Sequence, residues 1–137
     1  MMLKIVLIAS VVTFVVACCL PALEFKNSNG PNDVMLGLRA LAVGWSGLFA
    51  GVMGWYANPV WFVGLILGLL RKPILVALAG LIAIGIAATT FSIVGRELPG
   101  DESNVTKTTV IKILPGCYVW IASFALLTLS ALFAKSE

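Results

Sequence analysis

Apolar residues come in long unbroken runs along this chain, separated by short polar stretches. The first run covers residues 5–23, after Lys4 and before Glu24, with no charge inside it. Roughly 20 apolar residues span the hydrocarbon core of a bilayer, so this run is long enough to cross. Residues 24–33 (EFKNSNGPND) are polar and rich in Asn, Gly and Pro, which predicts an exposed turn with Asn32 or Asp33 capping the next helix. A second apolar stretch, residues 34–70, is too long for one helix. Asn58-Pro59 divides it, because proline lacks a backbone donor but suits the first turn of a helix. The predicted helices are therefore residues 34–57 and 59–70, with Asn58 as a cap. Arg71-Lys72-Pro73 ends the third helix. Residues 74–95 form a fourth, charge-free run, and residues 113–134 the last. Between these two lies the longest polar segment, residues 96–112, which reads as a loop.

These five segments predict an all-α, polytopic helical membrane bundle in one domain. Four helices are long; the third, about 12 residues or roughly 18 Å, is short for a ~30 Å core and is a candidate re-entrant segment. Composition agrees. Of 137 residues, 61% are hydrophobic and only 11% charged, against about a quarter charged in a soluble domain. The lipid bilayer is the expected partner. A net charge of +3 with scattered basic residues gives no nucleic-acid footprint. Trp55, Tyr56 and Trp61, and Tyr118 with Trp120, fall where interfacial aromatics are expected.

The start of the chain has a second reading. A short basic end before an apolar run resembles a signal peptide, and Val15-Val16-Ala17-Cys18 resembles a lipoprotein cleavage box that would lipidate Cys18. The run is also long enough to remain as a helix. Asn104-Val105-Thr106 matches the N-glycosylation sequon, a motif too short to carry weight alone.

The most regular pattern lies within residues 34–57. Gly37, Ala40, Gly44, Gly47, Gly51 and Gly54 recur at alternating spacings of three and four. On one helix they would form a small-residue face that lets another backbone approach closely. This makes them candidate helix-packing residues, within the subunit or at a homo-oligomer seam. Arg39 is the one charge inside an apolar stretch. It is close enough to the predicted helix start to snorkel to lipid phosphate, or it could contact a partner.

Candidate chemistry is sparse. Histidine is absent, removing the commonest general base and metal ligand. Cys18, Cys19 and Cys117 have no metal or redox spacing. Ser10, Ser46, Ser92, Ser123 and Ser130 lie in apolar runs, where hydroxyls commonly bond a preceding carbonyl. No phosphate-binding or dinucleotide fingerprint occurs, and no Asp or Glu lies inside an apolar run to relay protons. The expectation is no catalytic residue, no cofactor, no metal and no enzyme.

Three pieces of sequence, Cys19-Leu20-Pro21-Ala22, Gly54-Trp55-Tyr56-Ala57-Asn58-Pro59 and Pro115-Gly116-Cys117-Tyr118-Val119-Trp120-Ile121-Ala122-Ser123, together resemble a group of small bacterial inner-membrane proteins with no assigned activity. The resemblance implies a bacterial inner-membrane location and carries over no site residue. The expected function is a non-enzymatic accessory, assembly or oligomerising role, within a homo-oligomer or larger membrane complex. The alternative is a small transporter or channel, since interrupted helices often line substrate sites. A third class, a lipid-modifying enzyme, would use Arg39 to hold a phosphate.

Lysine and arginine counts do not decide the topology. With five crossings, Lys4 and the 96–112 loop face Lys26, Arg71, Lys72 and Lys135. With four, Lys4, Arg71, Lys72 and Lys135 face Lys26, Arg96, Lys107 and Lys112, which puts both termini on one side, and a basic, signal-like start prefers that side to be the cytoplasm. The short third helix favours four, and in that case Cys18, Cys19 and Cys117 share one membrane face.

Overall fold

The computed structural model describes residues 1–100 and 105–134; Asn104 of the sequon, the Lys135 tail and the acids Asp101 and Glu102 lie outside the described residues. Helix α1, Met2–Cys19, carries no charge after Lys4 and is apolar apart from Ser10 and Thr13. It stops because Leu20 turns extended (φ −96°, ψ 153°) ahead of Pro21, as a residue before proline prefers. Strand β1, Pro21–Asn27, follows directly. Next come β2, Asp33–Leu36, and a short helix α2, Gly37–Val43. The chain continues as a 3₁₀ stretch, Gly44–Ala50, turns at Gly51, and enters a second 3₁₀ turn, Gly54–Tyr56. Helix α3, Ala57–Leu69, a tight Arg71-Lys72 turn and helix α4, Pro73–Ala88, complete a helical hairpin. A 3₁₀ stretch, Thr89–Ile93, extends α4; then come β3, Glu97–Pro99, β4, Lys107–Ile113, and α5, Pro115–Ala134.

The four strands form one antiparallel sheet in the order β2-β1-β4-β3. β1 pairs with β4 from Leu23 opposite Ile113 to Asn27 opposite Thr108, and with β2 from Pro21 opposite Leu36 to Phe25 opposite Asp33. The fold is therefore mixed α/β rather than all-α. The polar segment 96–112 is not a loop throughout, because β4 is rich in β-branched residues (Thr108, Thr109, Val110, Ile111, Ile113), which suit a pleated surface. Val110 is completely buried.

Among the described residues, three helical segments, not four, are long and apolar enough to cross a membrane: Met2–Cys19, Pro73–Ile93 and Pro115–Ala134. The predicted helix over residues 34–57 does not exist as one element. Gly37, Gly44, Gly47, Gly51 and Gly54 each disfavour helix by about 1 kcal/mol relative to alanine, and Gly51 sits in the left-handed region at φ 71°. The third segment gains a turn at its start, and the shorter apolar helix runs Gly54–Leu69. Asn58 does not cap it; Tyr56 holds the cap position with no side-chain bond.

Helix α5 packs between α1 and α4, and α3 packs on α4. Phe14 of α1 closes the bundle by stacking on Trp61 of α3, with centroids 4.1 Å apart and planes 10° from parallel. Trp61 is thus a core residue, 2% exposed, rather than an interfacial one. Its indole N–H donates to Ser10 Oγ (3.0 Å), and that hydroxyl donates to the Ser123 carbonyl (2.7 Å). Ser46, Ser92, Ser123 and Ser130 instead bond the carbonyl three residues earlier. Outside the core, Ile5, Ile8, Phe62, Ile66, Ile74, Leu81, Leu129 and Leu132 face outward, an apolar exterior that suits lipid.

The sheet caps one end of the bundle. β1 leaves α1 and β4 feeds α5, and Leu114 N–H donates to the Ala22 carbonyl (2.9 Å) to hold them together. At the opposite end Leu3, Lys4, Leu7, Gly68, Leu69 and Arg71 meet. Lys4 and the Arg71-Lys72 turn therefore share one end, while Lys26, Arg96, Lys107 and Lys112 belong to the capped end.

Candidate functional site

Residues 37–56 do not lie flat on the bundle head. They arch beside the sheet and leave a half-open cavity of about 670 Å³ between cap and bundle. That is within the usual range for a small-molecule site. Phe14, Ala17, Cys117 and Trp120 contribute from the bundle, Leu23 and Phe25 from β1, and Trp55 from the arch. The wall is mostly apolar.

The arch is fixed by specific bonds. Trp55 N–H donates to the Leu41 carbonyl (2.8 Å), the Tyr56 hydroxyl donates to the Trp45 carbonyl (3.2 Å), and Arg96 reaches the Ala50 carbonyl (3.3 Å). Gly37 lies so close to the end of α1 that an added Cβ would strike the Ala17 carbonyl. Its own N–H donates to the Leu20 carbonyl (2.9 Å).

Two buried polar groups stand in the wall. Asn58, in the first turn of α3, is 4% exposed, and Thr90, just past α4, is 8% exposed. Trp120 N–H donates to Asn58 Oδ1 at 2.8 Å. An indole can only donate, so this bond fixes which end of the amide is the oxygen. Among the described residues Asn58 Nδ2 then has no side-chain or backbone partner, and neither has the Thr90 hydroxyl. Among the described residues no fully buried side-chain nitrogen or oxygen lacks a partner, so both groups keep access to the cavity they line.

The residues singled out in the sequence fall around this space, in a geometry other than a helix face. Gly37, Ala40, Gly44, Gly47 and Gly54 line the cavity, and Gly51 lies at the turn behind it. An added Cβ on Gly44 would come within 2.7 Å of the Trp55 ring, and one on Gly54 would collide with the Thr90 hydroxyl. Arg39 stands at the rim, paired with Asp33 Oδ2 at 3.1 Å, both side chains about half exposed. Thr90, and the open end of Asn58, carried no signal in sequence, because the bond that orients Asn58 joins residues 62 positions apart.

Other chemistry is thin. Cys18, Cys19 and Cys117 are free thiols. Among the described residues no group of three or more His, Cys, Asp or Glu side chains could hold a metal. Beneath the cavity floor Trp61, Phe124, Leu127 and Val76 fill the bundle. A second cavity, at the far end, measures only about 40 Å³.

No protein-family model matches the chain, and no curated protein or solved structure matches it.

Proposed function

We propose that this is a non-enzymatic, multi-pass membrane protein of the bacterial inner membrane, with an accessory role, that holds an apolar molecule in the cavity between cap and bundle. The observation carrying this reading is the cavity itself, about 670 Å³ with a largely apolar wall. Four crossings fit the geometry: the three long apolar helices and the shorter Gly54–Leu69 segment, whose 16 residues reach roughly 24 Å. A modest mismatch of that kind is absorbed by local thinning or by interfacial anchors. The arch supplies such anchors, with Trp45, Leu48 and Phe49 exposed beside the sheet. Both termini and the Arg71-Lys72 turn are assigned to the cytoplasm, as a basic start before an apolar run prefers.

Holding is favoured over conduction by the filled bundle below the cavity, where Trp61, Phe124 and Leu127 leave no room for a path. The test is photolabelling of the purified protein in detergent with an alkyl diazirine. Labelling that concentrates on residues lining the cavity, and saturates with unlabelled alkane, is expected. Labelling spread only over outward-facing residues such as Ile5, Ile74 and Leu81 would overturn the reading. Solute flux in liposomes that is lost on changing Asn58 would favour the transporter instead.

A further inference from the structure

The cavity's polar groups narrow the class of molecule it takes. The indole N–H groups of Trp55 and Trp120 are already committed, to the Leu41 carbonyl and to Asn58 Oδ1. Arg39 and Asp33 neutralise each other at the rim. What remains in the buried wall is one open amide donor, Asn58 Nδ2, and one open hydroxyl, Thr90 Oγ1. Both line the same cavity as Gly54, which packs against Thr90 and precedes Asn58 by four residues. Both groups reach the cavity, so an occupant that displaced water from it without offering an acceptor would leave the Asn58 donor unpaired, whereas one carrying an acceptor would not. No unpaired charge stands in the wall, so an anion or a cation would be buried without compensation.

We infer that the occupant is an uncharged long-chain ester, its carbonyl oxygen accepting from Asn58 Nδ2, with Thr90 beside it and the chain filling the apolar remainder of the cavity. This rests on the proposed holding role. The same chemistry could come from the glycerol ester region of a membrane lipid or from a free single-chain ester.

The experiment is competition against alkyl-diazirine labelling of the cavity in the intact detergent-solubilised protein. Competitors of equal chain length are an alkane, the methyl ester, the ionised fatty acid and a diacylglycerol. The methyl ester should compete at about a tenfold lower mole fraction than the alkane, the advantage of one recovered hydrogen bond. Thr90→Val and Asn58→Leu should each shrink that advantage and leave alkane competition unchanged. The wild-type comparison needs no variant, so it stands even if Asn58→Leu fails to fold. Equal competition by ester and alkane would overturn the ester inference while leaving the holding role intact. So would a stronger effect of the ionised acid, or an ester advantage that survives both substitutions. Absence of saturable cavity labelling would remove the holding role itself. A diacylglycerol that competes better than the methyl ester identifies the membrane lipid as the source; the reverse order identifies the free ester, and both support the inference.

Discussion

Residues 34–56 and residues 74–93 are both apolar, yet they take opposite structural forms. The later segment opens on Pro73 and runs as one continuous helical span to Ile93. The earlier one breaks into strand, helix, 3₁₀ stretch and turn. The earlier segment is the less hydropathic, with Arg39 and Ser46 inside it, yet it still reads as an apolar run, so apolarity alone does not decide the form. Glycine does much of it. Gly80 and Gly85 are the only glycines between Pro73 and Ile93, set among Leu, Ile and Ala, whereas five glycines punctuate residues 37–54. At about 1 kcal/mol each relative to alanine, five glycines weigh several kcal/mol against helix. Hydropathy reports which solvent a segment prefers; backbone propensity and tertiary partners decide its form.

The largest expected effect lies in the bundle. Trp61→Ala removes the ring stacked on Phe14 and leaves Ser10 with one bond fewer. It should cost about 3–5 kcal/mol, read as a large fall in the thermal midpoint in detergent. Trp55→Ala, in the arch, should cost clearly less; equal losses would mean that the bundle is not the more tightly built half. Next comes Gly37→Val, where the obstructing atoms are backbone at Ala17 and Cys18. The expected loss is about 1–3 kcal/mol, and a neutral result would show that the arch is not pinned to α1.

Gly85→Ala sharpens the contrast from the other side. Nothing lies within 4 Å of the position its Cβ would take, so better helix propensity should raise stability by roughly 0.5–1 kcal/mol. Smallest of all is Arg39→Ala. Its partner Asp33 is exposed like itself, and such a pair contributes no more than about 1 kcal/mol. A greater loss in denaturation would give Arg39 a structural weight the geometry does not.

The three long helices were legible because an uninterrupted apolar run can satisfy its backbone in only one way. The predicted ranges 5–23, 74–95 and 113–134 differ from Met2–Cys19, Pro73–Ile93 and Pro115–Ala134 by a few residues at most ends. The sheet was missed for two reasons. β1 begins inside the first apolar run, at Pro21, and β4 carries lysines at Lys107 and Lys112 that made it look like a loop. The β-branched content of β4 was the available signal. The small-residue pattern falls on residues that line the cavity, in a broken arch and not on one helix face. Asn58 reads in sequence as a polar interruption and a helix cap; its place in the cavity wall and its bond to Trp120 emerge only in the fold.

The pairing of β1 with β4 and of α1 with α5 has a consequence for biosynthesis. Ser10 needs the Ser123 carbonyl, and β1 needs strand residues 107–113, more than 80 positions later. While the middle of the chain is being made, Ser10 lacks the carbonyl it bonds in the finished fold and β1 lacks one of its two neighbours. The cap cannot close until nearly the whole chain has emerged. Chains interrupted before residue 107 should therefore be cleared by membrane quality-control proteases, whereas chains released after α5 should persist.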